Sequence, residues 1–234
     1  MNANSGAHKW VYAFSEGDGH DKKLLGGKGA NLCEMTQIGL NVPPGFVITT
    51  EACLHYLESG GKDVPEDMMR QVREHMAGVE QATGKGFGDP DNPLLVSVRS
   101  GSALSMPGMM DTILNLGLNA STLQGEIRQT GDARFGYDAY RRFVQLFGKV
   151  AMGVPDELFD SEFEAVKQAA NVSEDVGLSA DNLKQISERF LRVFQEHTGR
   201  PFPEDPYEQL EIAIKAVFRS WSGKRAVDYR REFK

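Results

Sequence analysis

The stretch Leu94–Gly117, LLVSVRSGSALSMPGMMDTILNLG, decides the fold. It opens on the apolar run Leu94-Leu95-Val96-Ser97-Val98, after the turn-rich Gly88-Asp89-Pro90-Asp91-Asn92-Pro93. A short apolar run bounded by turn residues predicts a buried strand. That strand ends on Arg99, followed by Ser100-Gly101-Ser102. A guanidinium offers a fixed fork of donors and keeps its charge. Glycine and serine let backbone N–H groups approach an anion closely. Spacing alone leaves two readings open: Arg99 binds a phosphate, or it pairs with a carboxylate at the strand end.

Upstream, Trp10–Phe14 alternates and predicts a short strand with Trp10, Tyr12 and Phe14 on one side. After a polar loop comes Leu24-Leu25-Gly26-Gly27-Lys28-Gly29-Ala30, with a helix expected from about Lys28 to Ile38 and Gly39 as its stop. Glycines and a lysine at a helix start suit an anion, because orphan N–H groups and the positive dipole end gather there. The run is not a Walker A loop: the positions needing glycine and Ser/Thr hold Lys22 and Gly29. An ordinary turn is the competing reading. Phe46–Thr50 predicts a second strand, with Thr50 capping a helix to Glu58. A helix from Pro65 carries the stripe Met68, Val72, Met76 and Val79, read as core.

After Gly117 the periodicity becomes helical. Tyr137, Tyr140, Phe143, Val144 and Phe147 share one face. Phe159, Phe163, Val166 and Ala170 share a second, and Leu183, Ile186, Phe190, Val193 and Phe194 a third. The proline-rich 200–206 interrupts this array. A last stripe runs through Tyr207, Leu210, Ile214, Val217, Phe218 and Trp221, before a mixed-charge tail read as a solvated helix.

The chain's 234 residues, 40% hydrophobic and 25% charged, suffice for one large domain or two small ones. A formal net charge of -7 argues against general nucleic-acid binding. Cys33 and Cys53 lack CxxC spacing and read as thiols of a reducing compartment. With no secretory leader pattern and no membrane-length apolar run, a cytoplasmic location is expected.

Three stretches together resemble the nucleotide-binding N-terminal region of the pyruvate, phosphate dikinase family: Leu24–Met35, Leu94–Asn119 and Ala216–Trp221 (AVFRSW). The run Ser105–Thr112 is the specific one, since related phosphoenolpyruvate synthases usually lack it. The resemblance implies an α/β (α+β) fold: the first lobe of an ATP-grasp domain over 1–118, an inserted helical subdomain over 119–204, and a return segment over 205–234. It implies interconversion of ATP, phosphate and pyruvate with AMP, pyrophosphate and phosphoenolpyruvate, using Mg2+ and a phosphohistidine. Arg99 matches the family's polyphosphate-binding and charge-stabilising arginine, and Lys28 the lysine of its glycine loop. Gly101 and Ser102 are expected to line the phosphates through their backbone. Asp111 is read as a polar wall or a core-edge cap, and no residue is assigned to metal.

The second ATP-grasp lobe, the phosphohistidine domain and the barrel do not appear in these 234 residues. The chain is therefore expected to be a truncated part, inactive alone, with Mg2+ ligands beyond its end. The parent is expected to be a homodimer that handles phosphate and pyruvate on other domains. None of His8, His20, His55, His75 and His197 sits in a phosphohistidine context. Two other readings stay open: a fragment of a related dikinase such as phosphoenolpyruvate synthase, or a short non-catalytic protein binding a nucleotide or a partner.

Overall fold

Two three-residue strands begin the architecture: β1 (Val11–Ala13) and β2 (Phe46–Ile48) pair antiparallel, with Val11 opposite Ile48 and Ala13 opposite Phe46. The structure, a computed structural model, describes residues 8–101 and 111–232. By contacts the chain divides into two units. One comprises 1–84, 100–111 and 217–234; the other comprises 85–99 and 112–216.

The first unit contains β1, β2, α1 (Lys22–Gln37), α2 (Thr50–Glu58) and α3 (Met68–Thr83). α1 buries Leu25, Ala30 and Cys33 against Tyr12, Phe14, Leu24 and Val47. α3 buries the predicted stripe Met68, Val72, Met76 and Val79. A two-stranded ribbon leaves strand edges unpaired. Here the buried Gln71 of α3 occupies one edge: its Oε1 accepts from the N–H of Trp10 (2.8 Å) and Val11 (3.2 Å). Its Nε2 donates to the His8 carbonyl at 2.7 Å, so the side chain acts as a fragment of a third strand.

Local expectations shift at element starts. α1 begins at Lys22 rather than about Lys28, because Asp21 accepts from the Leu24 N–H at 2.9 Å and caps an extra turn. Thr49, not Thr50, caps α2 through the Ala52 N–H. α3 starts at Met68, three residues past Pro65; Pro65 instead accepts from the Met68 N–H in the preceding turn.

The second unit holds β3 (Val96–Arg99), β4 (Thr112–Leu116), α4 (Ala120–Thr130), α5 (Ala133–Met152), α6 (Asp156–Ala169), a 3-10 turn at Asp175–Gly177, and α7 (Ala180–Thr198). α8 (Pro206–Ser220) crosses the division at Ala216, and α9 (Lys224–Glu232) belongs to the first unit. Among the described residues the fold is mixed, with helices predominating and two small antiparallel ribbons.

The expected buried strand is corrected in part. Leu94 is buried, but β3 is half-exposed and, among the described residues, pairs with β4 alone, so one face of the ribbon is left partly exposed. Behind it, α5 packs against α7 and α6 through the predicted aromatic stripes. Phe202, from the proline-rich segment, enters this core, 5.5, 5.2 and 5.1 Å between ring centres from Phe143, Phe147 and Phe194. The fully buried Gln209 fastens the segment: it accepts from the Gly117 N–H at 2.9 Å and donates to the carbonyls of Leu118 (2.9 Å) and Pro203 (2.8 Å).

Candidate functional site

The glycine run of the first unit is a break between two helical pieces. After the turn capped by Asp21, Gly26 adopts φ 70° and ψ 165°, a conformation close to glycine-only. The helix then resumes, and its first N–H groups are the ones a helix start leaves without intrahelical partners. The break answers to a close approach. A Cβ built on Gly26 would lie 1.6 Å from the carbonyl oxygen of Gly101. Gly29 is held against β2: a Cβ there would come within 2.8 Å of Val47 Cγ1. Gly101 itself sits beside the resumed helix, where its own Cβ would fall 3.5 Å from the Gly29 nitrogen and 3.8 Å from Lys28 Cβ.

The structure therefore brings Gly101 and Lys28 together with the glycine run, all within one unit. Lys28 is exposed, and its side chain has no hydrogen-bond or ion-pair partner among the described residues. Arg99 belongs to the other unit, as the last residue of β3, where its backbone pairs with Thr112. It too is exposed and without a side-chain partner among the described residues. The carboxylate partner that spacing alone allowed is not found there. Ser100 is buried at 8% exposure. Ser102, and most of the run Ser105–Thr112, lie outside the described residues.

Asp111 lies 3.6 Å from the guanidinium of Arg225 of α9, within the first unit. Among the described residues no group of three or more His, Cys, Asp or Glu is arranged to hold a metal ion. His8 contacts Glu51 at 2.9 Å, and His75 lies 2.7 Å from the Gln71 carbonyl and 3.0 Å from Glu16. Glu16 is the most perturbed carboxyl. Burial raises its pKa, but hydrogen bonds from Lys9, the Ala13 N–H and His75, with the Lys9 charge, bring it from 4.5 down to about 2. Burial pushes the Cys53 thiol up to about 11 and raises Cys33, so both are poor thiolates.

Sequence reading missed the Lys9–Glu16–His75 cluster and the Gln71 clamp. Both tie residues near β1 to a side chain of α3 far along the chain, with no shared motif. Gln71 had a faint signal, as a polar residue beside the apolar stripe of α3.

In the first unit an exposed lysine beside a backbone break at a helix start suits an anion, and in the second an exposed arginine ends β3. A family model described as "Pyruvate phosphate dikinase, AMP/ATP-binding domain" matches residues 22–68 and 62–234, and the chain belongs to that family. It is 58% identical over 224 residues to a pyruvate, phosphate dikinase of Entamoeba histolytica, covering 96% of this chain and 25% of the relative. It is 50% identical to one of Clostridium symbiosum, covering 95% of this chain and 26% of the relative. Pyruvate, phosphate dikinase 2 of Zea mays is also 50% identical, over 92% of this chain and 24% of its own length. The chain thus spans about a quarter of the relatives it matches. No helix among the described residues is long and apolar enough to cross a membrane.

Proposed function

We propose that this chain supplies part of the ATP site of a pyruvate, phosphate dikinase, an enzyme converting ATP, phosphate and pyruvate to AMP, pyrophosphate and phosphoenolpyruvate. The observation that carries the reading is the packing of Gly101 on the Gly26 break beneath an unpaired Lys28, in a chain of an AMP/ATP-binding family. In this reading residues 1–118 and 205–234 form the first lobe of an ATP-grasp fold, and 119–204 are its helical insert.

Phosphoryl transfer asks a protein mainly for positioning and for positive charge near the phosphoryl oxygens. Arg99 binds the polyphosphate with a bidentate fork and stabilises the charge that develops on transfer; Lys28 adds a compact point charge. Gly101 and Ser102 line the phosphates through their backbone. Mg2+ bound with ATP would offset triphosphate charge. By the family resemblance, its ligands are assigned to parts of such an enzyme outside this chain. Phosphate and pyruvate are assigned to other domains, the parent is read as a homodimer, and the location as cytoplasmic.

The test is an assay of the protein carrying this chain with ATP and pyruvate, with and without phosphate. Phosphoenolpyruvate formed only with phosphate, alongside pyrophosphate, is expected. Formation without phosphate would instead indicate a water-dependent synthase and overturn the assignment.

A further inference from the structure

Within the first unit, the junction of β2 and α2 grips α1 on both sides of its glycine break. Past the break, Gly29 packs on Val47 of β2: a Cβ there would come within 2.8 Å of Val47 Cγ1 and 3.0 Å of Cγ2. Ahead of the break, the hydroxyl of Thr50, the first residue of α2, donates to the Lys23 carbonyl at 2.6 Å. In an unbroken α-helix that carbonyl accepts from the N–H of Gly27, four residues on. Gly26 lies between them at φ 70° and ψ 165°, far from helical values, so the helical bond is lost at this point. Thr50 supplies the donor that the break removes.

The Thr50 side chain is free for this because Thr49 caps α2, its hydroxyl accepting from the Ala52 N–H at 3.3 Å. Thr49 is fully buried, and its own N–H donates to the Trp10 carbonyl at 3.0 Å, so the junction is fastened beside β1. On the α1 side, Asp21 holds the short turn ahead of the break: its side chain accepts from the Leu24 N–H and its carbonyl from the Leu25 N–H, both at 2.9 Å. The turn is therefore tied down by Asp21 and Thr50, and the resumed helix by Val47. The angle between the two pieces is set by residues 47–50 as much as by the hydrogen bonds of α1. Lys28 stands in the first turn past the break, where that angle decides its placement.

We propose that Thr50 is a positioning residue for Lys28, acting through the Lys23 carbonyl and the break rather than through any contact with ligand. This rests on the assignment of Lys28 to phosphate made above. The hydroxyl is the part that matters: serine at position 50 keeps the donor, and valine keeps the branched shape without it.

The experiment measures ATP affinity by calorimetry, with Mg2+ present, for the unaltered chain, Thr50→Val, Thr50→Ser, Lys28→Ala and the double variant Thr50→Val with Lys28→Ala. Circular dichroism checks the fold of each. Thr50→Val is expected to weaken ATP about fivefold, the order of one neutral hydrogen bond. Thr50→Ser is expected to keep the affinity of the unaltered chain. In the Lys28→Ala background Thr50→Val is expected to have little further effect, since residues acting through one another are not additive. If Lys28→Ala weakens ATP and Thr50→Val does not, the Thr50 inference fails and the phosphate assignment stands. An equal loss from Thr50→Val with and without Lys28 also overturns the inference, because the effect would then bypass the lysine. Equal losses from Thr50→Ser and Thr50→Val overturn it as well, because the hydroxyl would not be the cause. If Lys28→Ala leaves ATP binding unchanged, or the unaltered chain binds no ATP, the phosphate assignment itself fails and the inference with it.

Discussion

Replacing Gly26 with alanine attacks the glycine break at its most constrained point. The new methyl carbon would start 1.6 Å from the Gly101 carbonyl oxygen. Even a weak C···O contact needs about 3.3 Å, so Gly101 must retreat by on the order of 1.5 Å. The backbone at φ 70°, ψ 165° adds about 1–3 kcal/mol of strain for a residue with a Cβ. Gly39 provides the control. Its φ is 84°, but a Cβ there meets nothing within 4 Å, so Gly39→Ala isolates backbone strain at about 1–2 kcal/mol. Gly26→Ala should therefore cost about 3–5 kcal/mol, and Gly39→Ala about 1–2. In a protein of this size 1 kcal/mol moves Tm by about 2–4 °C, which gives a drop on the order of 10 °C for Gly26→Ala. Both tryptophans, Trp10 and Trp221, belong to the unit that holds the break, so urea unfolding followed by tryptophan fluorescence reads that unit. Equal midpoints for the two variants would refute the packing of Gly101 on Gly26.

Three further outcomes follow from other contacts. The low pKa of Glu16 means its stabilisation is complete above its ordinary pKa of 4.5 and disappears as pH falls toward about 2; Glu16→Gln should flatten the acid limb of a fluorescence-monitored unfolding curve across that window. Gln209→Met leaves one N–H and two carbonyls of the second unit without partners. It should cost about 2–4 kcal/mol, read by calorimetry against the unaltered chain. Phe194→Ala, at a fully buried ring that meets Phe202 edge-on and Phe147 at a tilt, should cost about 3–5 kcal/mol in the same experiment.

The helical half was legible because its signal is local and repeated. Phe143, Phe147, Phe190 and Phe194 recur at helical spacing, and all are buried. The antiparallel half was harder. β4 escaped notice because Asn115 breaks the alternation that marks a strand, and β3 looked fully buried because its apolar run extends into Leu94 and Leu95, ahead of the paired segment. Lys28 and Arg99 stood out as cations beside glycines, but whether such a cation is free or paired is a tertiary fact, set by carboxylates far away in the chain. The partner of Gly26 was likewise invisible: nothing in a Gly-Gly-Lys-Gly run says that Gly101, seventy-five positions later by number, rests on it.

Calorimetric titration of ATP, with Mg2+ present, into this chain and into Arg99→Ala and Arg99→Lys tests the phosphate assignment most directly. Hydrogen bonds to a charged group contribute about 1.5–3 kcal/mol. Arg99→Ala should therefore bind ATP at least about tenfold more weakly than the unaltered chain. Arg99→Lys should fall between, keeping the charge and losing the fork. Equal affinity across the three proteins would contradict the placement of Arg99 on the polyphosphate.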